Sequence, residues 1–266
     1  MNHLAGWILA VAGASSACEP ELVVGKRLGA VEQPACSPDA GGAGAPAAED
    51  KIVEVGWSTS YENEFCDYAE AGGFCTRDPG GTSETVEDPV RSGERAAAFT
   101  VDSSLPMGTQ ARCFLEGQLP VDAVYGAWFY IPSLATNTGN WNLFHFQGGT
   151  PGTPGLPGLW DVSLGSAMDG SLYLYLFDFL GPGVRTPDNP PEVPIGSWFH
   201  VEFRLVRAAD ATGAVALYQD GVLVMELTGI VTDNTSFGQW YVGNLADALM
   251  PAVSTIYVDD VSIQAP

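Results

Sequence analysis

Trp198-Phe-His-Val-Glu-Phe-Arg-Leu-Val206 sets Val201, Phe203 and Leu205 on one side of an extended chain and His200, Glu202 and Arg204 on the other. Strict alternation of this kind is the pattern of a strand in an antiparallel sheet with one buried face. Working outward, residues 214–218 and 222–227 flank Gln219-Asp220-Gly221, and an Asp-Gly between apolar runs is the strongest short-range hairpin signal. The run from Ile195 to Ile263 closes on Thr255-Ile-Tyr-Val-Asp-Asp-Val-Ser-Ile263, again with a period of two. Further strands are expected at residues 95–101, 111–117, 124–131, 141–147, 159–164 and 171–178, with turn residues between nearly all of them. No segment sustains a helical period, so the chain is expected to be all-β, a sandwich of antiparallel strands. Trp128, Trp160 and Trp198 are expected in its core. The longest irregular connections, 148–158 and 180–196, are rich in Gly and Pro, and long loops on a rigid sandwich are where ligand contacts often sit.

With 266 residues the chain can bury one substantial core. Thirty-two acidic side chains against ten basic ones give a formal net charge of -22, which argues against nucleic acid or an anionic membrane surface as a general partner. Lys26 and Arg27 precede the folded part, so any site for a polyanion would have to concentrate the few cations that remain.

Residues 1–17 read as an export signal, an apolar stretch followed by Ser15-Ser16-Ala17 ahead of Cys18, and too short to span as a mature membrane helix. The end of this stretch resembles a bacterial lipoprotein box, with Ser15 where Leu is usual and no Lys or Arg before it. Export with a lipid anchor at the bacterial cell surface or in the periplasm is expected, and simple cleavage and secretion is the alternative. Setting Cys18 aside leaves Cys36, Cys66, Cys75 and Cys113, an even set suited to an oxidising compartment. Their spacing favours a Cys66–Cys75 bridge, leaving Cys36 with Cys113. A metal site on these cysteines would need paired Cys-x-x-Cys or a His cluster, and neither occurs. Residues 34–50 are small and Pro-containing, without large apolar groups, and cannot order themselves. The expected organisation is an export signal at 1–17, a tether at 18–50 and one β domain at 51–266.

Three blocks carry a resemblance. Val90-Arg-Ser-Gly-Glu-Arg-Ala-Ala-Ala-Phe99 comes first; Val124-Tyr-Gly-Ala-Trp-Phe-Tyr-Ile-Pro132 with Trp141-Asn-Leu-Phe-His-Phe-Gln147 follows; the block from Ser197 to Asp260 is last. In this order they resemble the concanavalin-A-like jelly-roll polysaccharide lyases of the heparin-lyase-like, glucuronan-lyase-like and alginate-lyase-like kinds. The resemblance spans most of residues 57–263. It implies an antiparallel β-sandwich jelly roll, an extracellular polysaccharide as partner, and lyase cleavage of a uronate-containing chain by β-elimination with no catalytic cofactor. A monomer is expected.

β-Elimination requires the C6 carboxylate neutralised, the C5 proton removed and the departing glycosidic oxygen protonated, hence a cationic or amide group, a base and an acid. His145 and Gln147 are two apart on a strand and share a face, the mirror order of the Gln-x-His pair of alginate-lyase-like jelly rolls. Arg112, ahead of Leu115-Glu116, lies where those enzymes carry an Arg-x-Glu strand. Their catalytic Tyr follows a Gly by two residues, whereas here Gly243-Asn244 is followed by Leu245, so Tyr241, Tyr175 or Tyr173 is expected to supply the hydroxyl. The expected catalytic set is Arg112, His145, Gln147 and Tyr241. Tyr173 and Tyr175, on one strand face where sugar rings could stack, join Asn142 and Arg204 as the expected substrate-binding set. Tyr61-Glu62 and Tyr257-Val-Asp-Asp260 resemble the Phe-Glu and Asp-Asp pairing of carbohydrate-binding jelly rolls, which implies a structural Ca²⁺ held by Glu62 and Asp260.

The alternative is a non-catalytic, lectin-like glycan-binding protein of the same fold, in which His145 between Phe144 and Phe146 is a hydrogen-bonded sheet histidine and the tyrosines only pack across strands. Glycoside hydrolysis ranks lower, because the Glu-x-Asp-x-x-Glu strand of laminarinase-like jelly rolls is absent and Glu202 and Glu226 have no supporting motif. No Gly-x-Ser-x-Gly elbow occurs for a Ser-His-Asp hydrolase.

Overall fold

The computed structural model describes Cys36 and residues 51–77, 80–105, 109–149, 156–233 and 237–266. The expected export signal, Cys18 and all of the expected tether except Cys36 lie outside the described residues.

The strands are, in chain order, β1 (Ser58–Thr59), β2 (Phe74–Arg77), β3 (Gly81–Val86), β4 (Ala96–Asp102), β5 (Thr109–Gly117) and β6 (Asp122–Tyr130). Next come β7 (Thr136–Asn137), β8 (Trp141–Gly149), β9 (Gly158–Ser166), β10 (Leu172–Asp178), β11 (Gly183–Arg185) and β12 (Glu192–Val193). The chain ends through β13 (Trp198–Val206), β14 (Gly213–Gln219), β15 (Val222–Ile230), β16 (Phe237–Ala246), β17 (Leu249–Met250) and β18 (Val253–Gln264). One short helix, α1 (Cys66–Glu70), precedes β2.

Two large antiparallel sheets result. The first runs β15-β14-β13-β6-β18-β4-β3 with β1 beside β18, and the second runs β11-β10-β9-β8-β16-β5-β2 with β12 beside β10. The chain is therefore an antiparallel β-sandwich jelly roll, as the alternating runs imply. In β13, Phe199, Val201, Phe203 and Leu205 are buried while the residues between them are half-buried. Gln219 pairs with Val222 across a two-residue turn, and both turn residues have positive φ, 51° at Asp220 and 76° at Gly221. Such backbone twist matches that of the flanking strands, which is why Asp-Gly ends β14 and begins β15.

The core fills the space between the sheets. Phe203 of the first sheet meets Phe146 and Trp160 of the second, with ring centroids 5.2 and 6.4 Å apart. Trp160 is in the core as expected, but Trp128 and Trp198 are not: both are half-buried on the outer face of the first sheet. Strand parity explains the correction, since Phe129 and Phe199 occupy the inward positions next to them. Trp128 stacks on His200 at 4.9 Å, and the Arg91 guanidinium lies 4.2 Å from its ring centroid.

The disulfides also differ from expectation. Cys75 on β2 lies directly opposite Cys113 on β5 and bonds to it, while Cys66 in α1 bonds to Cys36. Strand register, a non-local property, overrides the short sequence separation of Cys66 and Cys75. Because Cys75–Cys113 spans 38 residues, replacing both by Ala is expected to lower unfolding free energy by about 4 kcal/mol in the chain-entropy model. Urea titration measures this, and unchanged stability would contradict it.

Candidate active site on the outer face of the second sheet

Each central strand of the second sheet alternates. β5 sends Ala111, Cys113 and Leu115 into the core, β16 sends Trp240 and Val242, β8 sends Phe144 and Phe146, and β9 sends Trp160, Val162 and Leu164. The residues between them stand on the outer face: Arg112, Phe114 and Glu116; Gln239 and Tyr241; His145 and Gln147; Asp161 and Ser163. An irregularity in the β8–β9 register between Asn142 and Phe144 brings Asn142 to the same side. Register then assembles the site, for Tyr241 lies opposite Phe114 on one side and His145 on the other, and His145 lies opposite Asp161.

All four expected catalytic residues meet on this face. The Arg112 guanidinium lies 4.0 Å above the Tyr241 ring, and the Tyr241 and His145 rings are 5.5 Å apart. His145 Nδ1 hydrogen-bonds Asp161 Oδ1, Asn142 Nδ2 donates to Asp161 Oδ2 at 2.8 Å, and Ser163 Oγ donates to Asn142 Oδ1 at 3.3 Å. With Asp161 as a carboxylate, which only accepts, the shared proton sits on Nδ1, and in the neutral imidazole Nε2 is then an acceptor. Tyr241 Oη donates to Gln239 Oε1 at 2.7 Å, and Gln239 Nε2 donates to Glu116 Oε2 at 2.7 Å. Burial pushes the Tyr241 phenol up from its ordinary value; Arg112 opposes the shift and Glu116 adds to it. The phenol therefore keeps its proton at neutral pH and can give it away.

This polar cluster is closed. His145 is 3 % exposed and Gln147 0 %, yet His145 Nε2 and both amide atoms of Gln147 have no hydrogen-bond partner among the described residues. Buried polar groups are nearly always paired, so these atoms on the outer face are open to water or to a polar ligand. Phe179, 39 % exposed, stands edge-on against His145 at 6.0 Å.

Gly243 fits β16 beside Arg112. Its φ is 147°, and a Cβ there would lie 2.6 Å from the Ala111 carbonyl oxygen and 2.7 Å from Arg112 Cα. Asn244 turns inward, taking the Trp141 indole N–H and donating to the Phe99 and Ser254 carbonyls. Tyr241, the expected source of the hydroxyl missing at Leu245, lies upstream of the register irregularity between Val242 and Leu245.

The remaining expected residues divide. Tyr173 and Tyr175 stand on the outer face of β10 with rings 6.4 Å apart, Tyr175 opposite Ser163. Asn142 joins the site through Asp161. Arg204 does not: it is on β13 in the first sheet, donating from Nε and Nη2 to Asp122 at 3.0 and 2.9 Å. Sequence reading missed Asp161, Gln239, Glu116 and Phe179 as members. An acid inside the apolar run Leu159-Trp-Asp-Val-Ser163 was the available signal for Asp161. A cleft of about 530 Å³ lined by Lys51, Trp57, Asp67, Glu70 and Leu115 contains none of these groups.

Glu62 and Asp260, from opposite ends of the domain, converge on one loop. Glu62 Oε1 accepts the N–H groups of Glu94 and Arg95 at 2.8 and 3.0 Å, and Asp260 Oδ1 accepts the Ser92 hydroxyl at 2.7 Å. They are hard oxygen donors of the kind calcium takes, but no group of three or more His, Cys, Asp or Glu is gathered for a metal among the described residues. Beside them Asp259, fully buried, accepts the Arg91 and Ser92 N–H groups, and desolvation pushes its carboxyl up to about 6. A folded-state value above the unfolded one makes the contribution of Asp259 largest below pH about 4 and lost as pH rises through about 6. Urea unfolding in chelator at a series of pH values should show that loss in wild type and a flatter profile in Asp259→Asn; parallel profiles would contradict it.

No protein-family model matches this chain, and no curated protein matches it. Solved structures do. An endo-β-1,4-glucuronan lyase from the fungus Trichoderma reesei superposes with a TM-score of 0.60 at 16% identity, over 80% of this chain and 96% of that one. A PL-14 alginate lyase from Aplysia kurodai gives 0.53 at 12% identity over 80% and 100%, and the cellulose induced protein Cip1 gives 0.52 at 16% over 79% and 97%. At these identities the likeness is one of fold, a jelly-roll sandwich that polysaccharide lyases also use.

Proposed function

We propose that this protein is an exported lyase that cleaves a uronate-containing polysaccharide by β-elimination. The observation that carries the reading is the meeting of Arg112, His145, Gln147 and Tyr241 on one sheet face, with His145 Nε2 and the Gln147 amide left without partners. Arg112 and the Gln147 amide would meet the C6 carboxylate and the charge that develops on it. His145 Nε2 takes the C5 proton, the C5 electron pair becomes the C4=C5 double bond, and the C4–O bond breaks. Tyr241 Oη gives its proton to the departing oxygen, and solvent returns the proton from His145 to Tyr241. Asp161 positions the base by fixing its tautomer. A sugar ring reaching Nε2 displaces Phe179, and Tyr173 and Tyr175 offer stacking surfaces beside it. The lyase structures of like fold support the reaction class, and the disulfides suit an oxidising compartment.

Incubation with a panel of uronate polysaccharides should raise absorbance in the unsaturated-uronate band. Binding without any such rise would favour the lectin-like alternative. A structural calcium ion at Glu62 and Asp260 belongs to the same reading: calcium at a hundred times its Kd should add about 2.7 kcal/mol over chelator. Identical thermal midpoints in calcium and chelator would remove the ion from the account.

A further inference from the structure

Resting on the lyase reading, we infer that the substrate carries isolated uronates separated by uncharged sugars, not a uronate at every position. A chain charged at each sugar needs a cation or several amides at each subsite, and among the described residues the cations other than Arg112 are few and engaged elsewhere. Of ten Lys and Arg, Lys26, Arg27 and the Arg77 side chain lie outside what is described. Arg204 is paired with Asp122, Arg207 with Asp233, Arg95 with Glu64 and Arg185 with Asp178, while Arg91 lies over Trp128 and Lys51, which lines the separate cleft, is turned to Glu116. Among the described side chains Arg112, over the Tyr241 ring, is the cation on this face. The connections at 106–108, 150–155 and 234–236 contain no Lys or Arg, so they add no charge to the face.

The flanks are aromatic. Neighbouring strands lie about 4.8 Å apart, close to the length of one sugar ring, so successive sugars of a chain laid across the sheet meet successive strands. Toward one edge, β2 presents the half-buried Phe74, packed edge-on over Phe114, itself 2 % exposed, with centroids 3.9 Å apart. Toward the other, β10 presents Tyr173, Tyr175 and Phe177 beyond Ser163. Such surfaces stack on uncharged sugar faces and leave a carboxylate unmatched. Glu116, on the same strand as Phe114 and bonded to Gln239, puts a carboxylate beside the reacting position, offset in part by the nearby Lys51. At physiological salt the screening length is about 8 Å, so these near neighbours decide the matter more than the net charge does.

The test compares kcat/KM on homopolymers of glucuronate, mannuronate and galacturonate with heteropolymers bearing the same uronates in otherwise neutral repeats, following unsaturated product. Turnover of the best heteropolymer should exceed that of the matching homopolymer by roughly tenfold, the size expected from one or two unmatched like charges. Added salt should raise the homopolymer rate and leave the heteropolymer rate nearly flat. Tyr173→Lys, which puts a cation at a flank, should move the ratio toward the homopolymer. A homopolymer cleaved as fast or faster, with salt slowing it, overturns this inference and leaves the lyase reading standing. A Tyr173→Lys ratio that does not move, or moves the other way, also overturns it. No unsaturated product from any polymer overturns both.

Discussion

His145→Ala is expected to lower kcat by about 10² to 10⁴ with a much smaller change in glycan affinity, the usual cost of removing a positioned proton-transfer group. The fold should survive, because His145 is on the outer face of β8 and the core contacts of that strand come from Phe144 and Phe146. Asp161→Asn is the sharper companion. Its amide can donate to His145 Nδ1, which would leave the proton on Nε2 and take the base away without emptying the site. Nitrogen NMR of labelled imidazole should report a Nδ1–H tautomer in wild type and Nε2–H in this variant. A purely structural role for Asp161 would leave the tautomer unchanged, and full lyase activity in His145→Ala would remove His145 from the chemistry altogether.

Tyr241→Phe should cost a similar factor of about 10² to 10⁴ in kcat. The substitution keeps the ring that lies under Arg112 and 4.6 Å from Phe114, and removes only the proton delivered to the departing oxygen. The defect should therefore appear in kcat and hardly in KM. The sign of the pH dependence follows from the environment. With the phenol held above its ordinary value by burial, the acid stays protonated through neutral and mildly alkaline pH, so the alkaline limb of wild-type kcat should appear only at strongly alkaline pH. An alkaline limb at or below the ordinary tyrosine value, or a Tyr241→Phe enzyme of full activity, would assign the acid elsewhere.

Alternation along a strand is local and was legible: β13, the Asp220-Gly221 turn and the outward pair His145 and Gln147 all follow from the residues alone. Which sheet a strand enters is not local. Arg204 and His145 both occupy polar positions of alternating strands, yet β13 belongs to one sheet and β8 to the other, so one cation expected at the sugar is spent on Asp122. Register is equally hidden. Cys113 faces Cys75, and His145 faces Asp161, because of how β5 meets β2 and β8 meets β9. Trp128 and Trp198 lie outside the core they were expected in, because parity sends Phe129 and Phe199 inward. Tyr241 could be proposed from the missing hydroxyl at Leu245, whereas its hydrogen-bonded partner Gln239 and the shielding Phe179 needed the assembled sheet.

The most direct measurement is digestion of a uronate polysaccharide in heavy-oxygen water followed by mass spectrometry of the new chain ends. Elimination breaks the C4–O bond without adding water, so the expected products are chains ending in an unsaturated uronate, none carrying solvent oxygen. Heavy oxygen at the new ends would mean hydrolysis, and intact polymer held by the protein would mean binding alone; either result contradicts the proposed lyase chemistry.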